Sequence, residues 1–177
     1  MSRQSLSDAD RQARRIAARA SGRHPAPLNE GRSRNMQANR RADTKPEVQL
    51  RSALHRLGFR FRKDFRVQAG DVKVKPDIVF TRRRIAVFVD GCFWHGCPDH
   101  GRTPTVNGWY WSPKLERNRE RDQRVTQALA ADDWHVLRFW EHESLDDVVR
   151  AVSRALEERY PSCRTPAGRG PRPSPGP

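Results

Sequence analysis

No stretch of the chain is apolar for the roughly 20 residues that a membrane-spanning helix needs. The opening segment, MSRQSLSDADRQARRIAARA, has no apolar signal core, so an intracellular protein is expected. Cysteine is scarce. There are three in 177 residues, with Cys92 and Cys97 close together and Cys163 in a Pro/Gly-rich end. An odd, small number in a reducing compartment excludes a disulfide framework and leaves metal binding as the use for a close pair. Acidic groups are the minority, 21 against 35 Lys and Arg, for a formal net charge of +14. That balance points to a polyanionic partner, most often nucleic acid, against the plainer reading of a solvated basic surface. Hydrophobic residues make up only 35%, enough for one domain with part of the chain left as tail.

No internal repeat divides the chain. Residues 1–31 read as a flexible basic arm, 32–160 as the folded domain and 161–177, PSCRTPAGRGPRPSPGP, as a disordered tail. The segment TKPEVQLRSALHRLG predicts a helix capped by Thr44, with Glu47 three residues on, Pro46 in its first turn and Gly58 at its end. Leu50, Ala53, Leu54 and Leu57 fall on one face. FRFRKDFRV alternates as a half-exposed strand would, and KPDIVF and RIAVFVD predict a hairpin about TRRR. GRTPTVNGWYW reads as a loop. The next segment, SPKLERNRERDQRVTQALAADD, reads as a long helix with Ser112 as cap and Pro113 in its first turn. A strand, WHVLRFW, and a final helix, SLDDVVRAVSRALEERY, complete an α/β order with helices packed on a mixed sheet.

VDGCFWHGCPDH crowds the chemistry. Cys92, Cys97 and His100 stand at C-x4-C-x2-H, three soft or borderline ligands that suit zinc. A closed structural site needs a fourth, for which His142 is the candidate, with His95 and His135 competing. Asp77 opens one apolar strand and Asp90 ends the next, so the two acids can hold Mg²⁺. Glu47 either completes the helix cap or faces that metal. Asp122 sits on the apolar stripe of the long helix with Leu115, Val125 and Leu129, where a lone charge is costly. It needs either a histidine, with His95 the candidate, or an arginine. Phe93 and Trp94 either cover the knuckle or form an exposed wedge for a base step.

RSRNM, GCFWH, NRERD and W-x-V-L-R-F-W-E, in this order, resemble the very short patch repair endonucleases over roughly residues 32–143. The resemblance implies a restriction-endonuclease-like fold, a central mixed sheet flanked by helices with a structural zinc site. It also implies a bacterial cytoplasmic enzyme, monomeric, with mismatch-repair proteins as candidate partners. Such enzymes nick duplex DNA 5′ to the thymine of a T·G mismatch left by deamination of 5-methylcytosine. One or two Mg²⁺ ions would sit on Asp77 and the Val89 main-chain carbonyl, with Asp90 as a further ligand. His95 would be the general base or acid, Asp122 its orienting carboxylate and Glu47 a further active-site acid. Met36, Phe93 and Trp94 match residues that intercalate beside the mismatch. The zinc ligands would be Cys92, Cys97, His100 and His142. Asp90 departs from the best-studied pattern, which has a histidine there, and no lysine follows where many enzymes of the fold place one. Two rivals stand beside this reading: a site-specific restriction nuclease of the same fold, and a zinc-stabilised DNA-binding module without catalysis.

Overall fold

A computed structural model describes residues 42–159 except Thr103 and Val106, together with a few isolated positions between 9 and 31. Met36, the tail and nearly all of the expected arm lie outside the described residues. Within them the fold is a mixed α/β arrangement.

Helix α1 spans Lys45–Arg56. Thr44 is its N-cap in extended geometry, but the acid reaches back further than an ordinary capping box. Glu47 accepts the Asp43 backbone N–H at 2.9 Å and the Thr44 hydroxyl at 2.8 Å. Leu50 and Leu54 are fully enclosed, whereas Leu57 is 59% exposed. The expected stripe therefore ends at Leu54. Leu57 is already the C-cap, and Gly58 follows at φ +85°, so the chain leaves the helical face there.

Residues 59–66 are not a strand, which corrects the reading of FRFRKDFRV. Only Arg62 bridges the sheet, pairing with Val79, and Asp64 adopts a left-handed φ of 55° that breaks any ladder. The alternation was nevertheless a true burial signal. Phe59 and Phe61 pack on one core and Phe65 on the other, with the basic residues outward. Next comes a small hairpin that the sequence reading passed over, β1 (Val67–Ala69) with β2 (Val72–Val74). Its turn is Gly70-Asp71, with Gly70 at φ +56°.

Strand β3 (Ile78–Phe80) pairs antiparallel with β4 (Ile85–Asp90) across a 3₁₀ turn at Thr81–Arg83. Strand β5 (His135–Trp140) lies parallel to β4 on its other side. β4 is thus the central strand, and its alternation divides the core. Ile85 and Val87 face α1 and the last helix, α4 (Leu145–Arg159), with Leu54, Val152 and Leu156. Ala86 and Phe88 face the hairpin and the long helix α3 (Gly108–Ala131), with Val125 and Leu129.

Between β4 and α3 lies a single turn, α2 (Cys92–His95). α3 spans Gly108–Ala131, so it starts before the expected Ser112 cap, with Asn107 as N-cap and Pro113 inside. Part of the expected loop is therefore helical. The ring of Pro113 fits helical φ, and the one bond it forgoes falls close to the helix start. The extra turn, Trp109 to Trp111, is held by ring contacts, Trp111 lying 5.4 Å from Phe93 and 5.8 Å from Trp94.

Truncation separates the two helix-α1 leucines. Leu54→Ala should cost about 2–5 kcal/mol, and Leu57→Ala should stay within about 0.5 kcal/mol, both measured by urea denaturation.

Candidate active site and Cys/His knuckle

Because β3 and β4 are antiparallel, the start of one and the end of the other share an edge of the sheet. Asp77 lies there just before β3, and its carboxylate accepts the Val89 backbone N–H at 2.8 Å. Burial pushes its carboxyl up to about 6 from an ordinary 3.8. The Val89 N–H works against that rise, and the nearby Glu47 and Asp90 charges add to it. Glu47 is itself buried, held by its α1 cap bonds. Its capping role and its place beside Asp77 are therefore compatible. The buried Asp77 carboxylate, with the Glu47 charge close by, makes this an anionic mouth that suits a hard cation.

Asp90 ends β4 on the same face as Phe88, turned toward α3. Two other residues come to that face. From β5, Arg138 places its guanidinium 4.8 Å over the Phe88 ring. It grips both Asp90 oxygens, each at 2.7 Å, and reaches Asp122 of α3 at 3.2 Å. The other Asp122 oxygen lies 2.5 Å from His95 Nδ1. Burial works to raise the Asp122 carboxyl. The His95 hydrogen bond and the charges of His95, Arg138 and Arg121 outweigh it and hold the group below its ordinary value. Asp122 is thus a carboxylate, so Nδ1 donates to it and Nε2 is left for chemistry. A cleft of about 440 Å³ opens beside His95, Asp122 and Arg138. The carboxylate on the apolar stripe has both partners that its position called for, and its strongest cation comes from β5 rather than from its own helix.

The knuckle forms where α2 meets the end of β5. The Cys92 N–H donates to Glu141 at 2.7 Å, and Cys92 Sγ lies 3.1 Å from His142 Nδ1. Cys97 Sγ lies 3.8 Å from the same nitrogen and 3.9 Å from His100 Nδ1. All four ligand atoms fall within 4.8 Å of one another. Atoms this close can close around one ion, and two thiols with two imidazoles are donors that suit zinc. His95 and His135 are outside this group among the described residues. Burial pushes the Cys92 thiol up to about 11, helped by Cys97 and Glu141. A glycine is required at 101, because a Cβ there would sit 2.3 Å from the Cys97 carbonyl oxygen.

Phe93 and Trp94 occupy a helical turn rather than a strand, so strand alternation does not apply to them. Both are half-buried and stack edge-on at 5.0 Å, with Trp111 as a third ring. Lys114 Nζ lies about 5.4 Å from Trp94 and Trp111 and 5.3 Å from Tyr110. Asn118 donates to the Trp94 carbonyl at 3.1 Å and ties the turn to α3.

The family model for "DNA mismatch endonuclease Vsr" matches residues 28–99. The Type II nicking enzyme V.NaeI of Lentzea aerocolonigenes is 68% identical over 147 residues, covering 82% of this chain and 89% of that protein. The DNA mismatch endonuclease Vsr of Escherichia coli is 35% identical over 133 residues, 72% of this chain and 81% of that protein. The chain belongs to the Vsr family. A third relative, the Type II nicking enzyme V.XorIIP of Xanthomonas oryzae pv. oryzae, is 47% identical over 112 residues, 63% of this chain and 79% of that protein. Vsr-family proteins are DNA endonucleases, so the basic excess has a DNA substrate to meet.

Sequence reasoning missed Trp111, Lys114 and Arg138. The first two were assigned to a loop and a helix start with no role. Arg138 carried a signal that could have been used: a lone cation in the apolar strand WHVLRFW, on the same parity as Val136, must meet an anion inside.

The raised Asp77 carboxyl ties stability to pH when no divalent ion is added. Its folded value lies above the ordinary one. Its contribution is therefore complete below about pH 4 and is lost as pH rises through about 6, about 3 kcal/mol in all. Asp77→Asn stays neutral throughout. Urea denaturation without added divalent ion should find it more stable than wild type by that order at pH 8, with the advantage shrinking steadily toward pH 4.

Proposed function

We propose that this chain nicks one strand of duplex DNA 5′ to the thymine of a T·G mismatch and so starts very short patch repair. The observation that carries the reading is the His95–Asp122 hydrogen bond, at the same edge of the sheet as the buried Asp77. A proton-transfer group and an anionic mouth for a hard cation, side by side, are what phosphodiester hydrolysis requires. The restriction-endonuclease-like fold is the Vsr-family expectation, and the helix-flanked mixed sheet fits it.

Mg²⁺ held by Asp77 and the Val89 carbonyl would supply charge stabilisation at the scissile phosphate and an acidified water. The protein's own groups do the rest. Asp122 fixes the tautomer of His95, whose Nε2 takes or gives a proton at the reacting oxygen. Glu47 adds negative charge at the mouth and anchors the start of α1. Phe93 and Trp94, joined by Trp111, form a ring cluster next to His95 that can enter an unstacked step, and a wobble pair is easier to open than a matched one. Met36 is assigned to the same wedge by the family resemblance alone. The knuckle of Cys92, Cys97, His100 and His142 holds structural zinc, with all four positions filled by the chain.

The 68% identical relative is named a nicking enzyme, which favours single-strand cleavage over the restriction-type rival. A purely binding module would have no use for a histidine oriented by a carboxylate.

The test is a panel of duplexes with one strand labelled at a time. With Mg²⁺, only the thymine strand of the T·G duplex should be cut, and the T·A duplex should stay intact. His95→Ala should slow the cut by about 10²- to 10⁴-fold. Cleavage of both strands of a matched duplex would replace the proposal with the restriction reading. Elemental analysis should find one zinc per chain, lost together with thermal stability in Cys97→Ser.

A further inference from the structure

Arg138 and Asp90 have no part in the chemistry just described, yet they form a largely enclosed, two-pronged ion pair. The Asp90 carboxylate is 6% exposed as a residue, and both of its oxygens are taken by one guanidinium in a two-pronged contact at 2.7 Å. The pair follows from the strands. β4 and β5 run parallel with Phe88 opposite Arg138 and Asp90 opposite Trp140. Arg138 and Asp90 therefore point to the same face, two residues offset, with the Arg138 guanidinium 4.8 Å over the Phe88 ring.

What the pair faces gives it a use. Two carboxylates, Asp90 and Asp122, flank His95 Nδ1, at 3.5 Å and 2.5 Å. Such acids repel one another and would compete for one ring nitrogen. Arg138 resolves the competition. Its fork takes Asp90 wholly, and its spare Nη2 contact takes the far oxygen of Asp122 at 3.2 Å. Only the near oxygen of Asp122 is then left to hydrogen-bond to His95.

We propose that Arg138 is a positioning residue of the nicking reaction, which with Asp90 holds Asp122 against His95 Nδ1, and that Asp90 serves this pair instead of ligating the metal at Asp77. The inference rests on the reading of His95 as the proton-transfer group. It assigns no contact with DNA to either residue. Lysine cannot replace the arginine, because a single ammonium cannot make the fork and the third contact together.

The experiment uses the full-length protein on the T·G duplex, with rate, DNA affinity and half-saturating Mg²⁺ measured separately. Arg138→Met should lower the saturated rate by about 10- to 100-fold and leave DNA affinity within about twofold. Arg138→Lys should restore little of it. Asp90→Asn should lower the rate and leave half-saturating Mg²⁺ unchanged. Because breaking a buried pair can unfold a protein, Asp90→Leu with Arg138→Met replaces both charges by apolar groups. Its folding should recover while its rate stays low. A second readout does not need activity: proton NMR should show a slowly exchanging His95 Nδ1–H in wild type that is lost in Arg138→Met. The proposal is overturned by an unchanged rate in Arg138→Met, by a tenfold or greater rise in half-saturating Mg²⁺ for Asp90→Asn, by a double variant with full activity, or by an Nδ1–H resonance that survives in Arg138→Met. A wild-type protein that fails to nick T·G DNA but shows that resonance, lost in the variant, would sink the proposed function and leave the positioning intact.

Discussion

The alternation of β4 is the constraint on which the rest depends. Each residue along a strand must face away from its neighbours, and this strand is the only one paired on both sides among the described residues. Its odd positions, Ile85 and Val87, close the core under α1 and α4. Its even positions, Ala86 and Phe88, close the core under α3. At the end of the strand the same rule continues after the apolar residues run out. Val89 offers its backbone to Asp77, and Asp90 turns to Arg138 and the α3 side. One geometric rule thus separates the anionic mouth from the ion-paired cluster by a single residue.

The placement of the acids shows how energetics select among equivalent side chains. Five carboxylates lie near this edge, and they are not in equivalent states. Asp77 has one backbone N–H and like charges for company, so burial raises its carboxyl. Asp122 has a histidine and an arginine, which hold it ionised despite burial. Glu141 anchors the knuckle through the Cys92 N–H, and Glu47 anchors the first turn of α1. On the proposed reading, acids with opposite pKa directions at one end of the sheet separate cation binding from proton transfer.

Much of this was legible in the sequence, because the signals were local. The α1 stripe, the β3–β4 hairpin, the β5 strand and the α4 face follow from apolar spacing, and the C-x4-C-x2-H knuckle from ligand types. The convergence of His142 on that knuckle was inferred from the end of a strand, and the parallel β4–β5 register brings it there. What stayed hidden depends on distant partners. FRFRKDFRV has the burial of a strand without its ladder, since Asp64 turns the chain and only Arg62 finds a mate. The start of α3 is set by aromatic contacts with α2, which lies 12 or more residues earlier and overrides the Ser-Pro signal. The partner of Asp90 stayed hidden for the same reason, since Arg138 lies 48 positions away.

α2 is four residues long, and it carries a cysteine of the knuckle, the rings of Phe93 and Trp94, and His95. No hinge separates these tasks. On the proposed reading, a molecule whose knuckle has lost its order loses grip and chemistry in one event. It falls away from the lesion instead of lodging there as an inert plug, and the damaged site stays open to a second, intact copy.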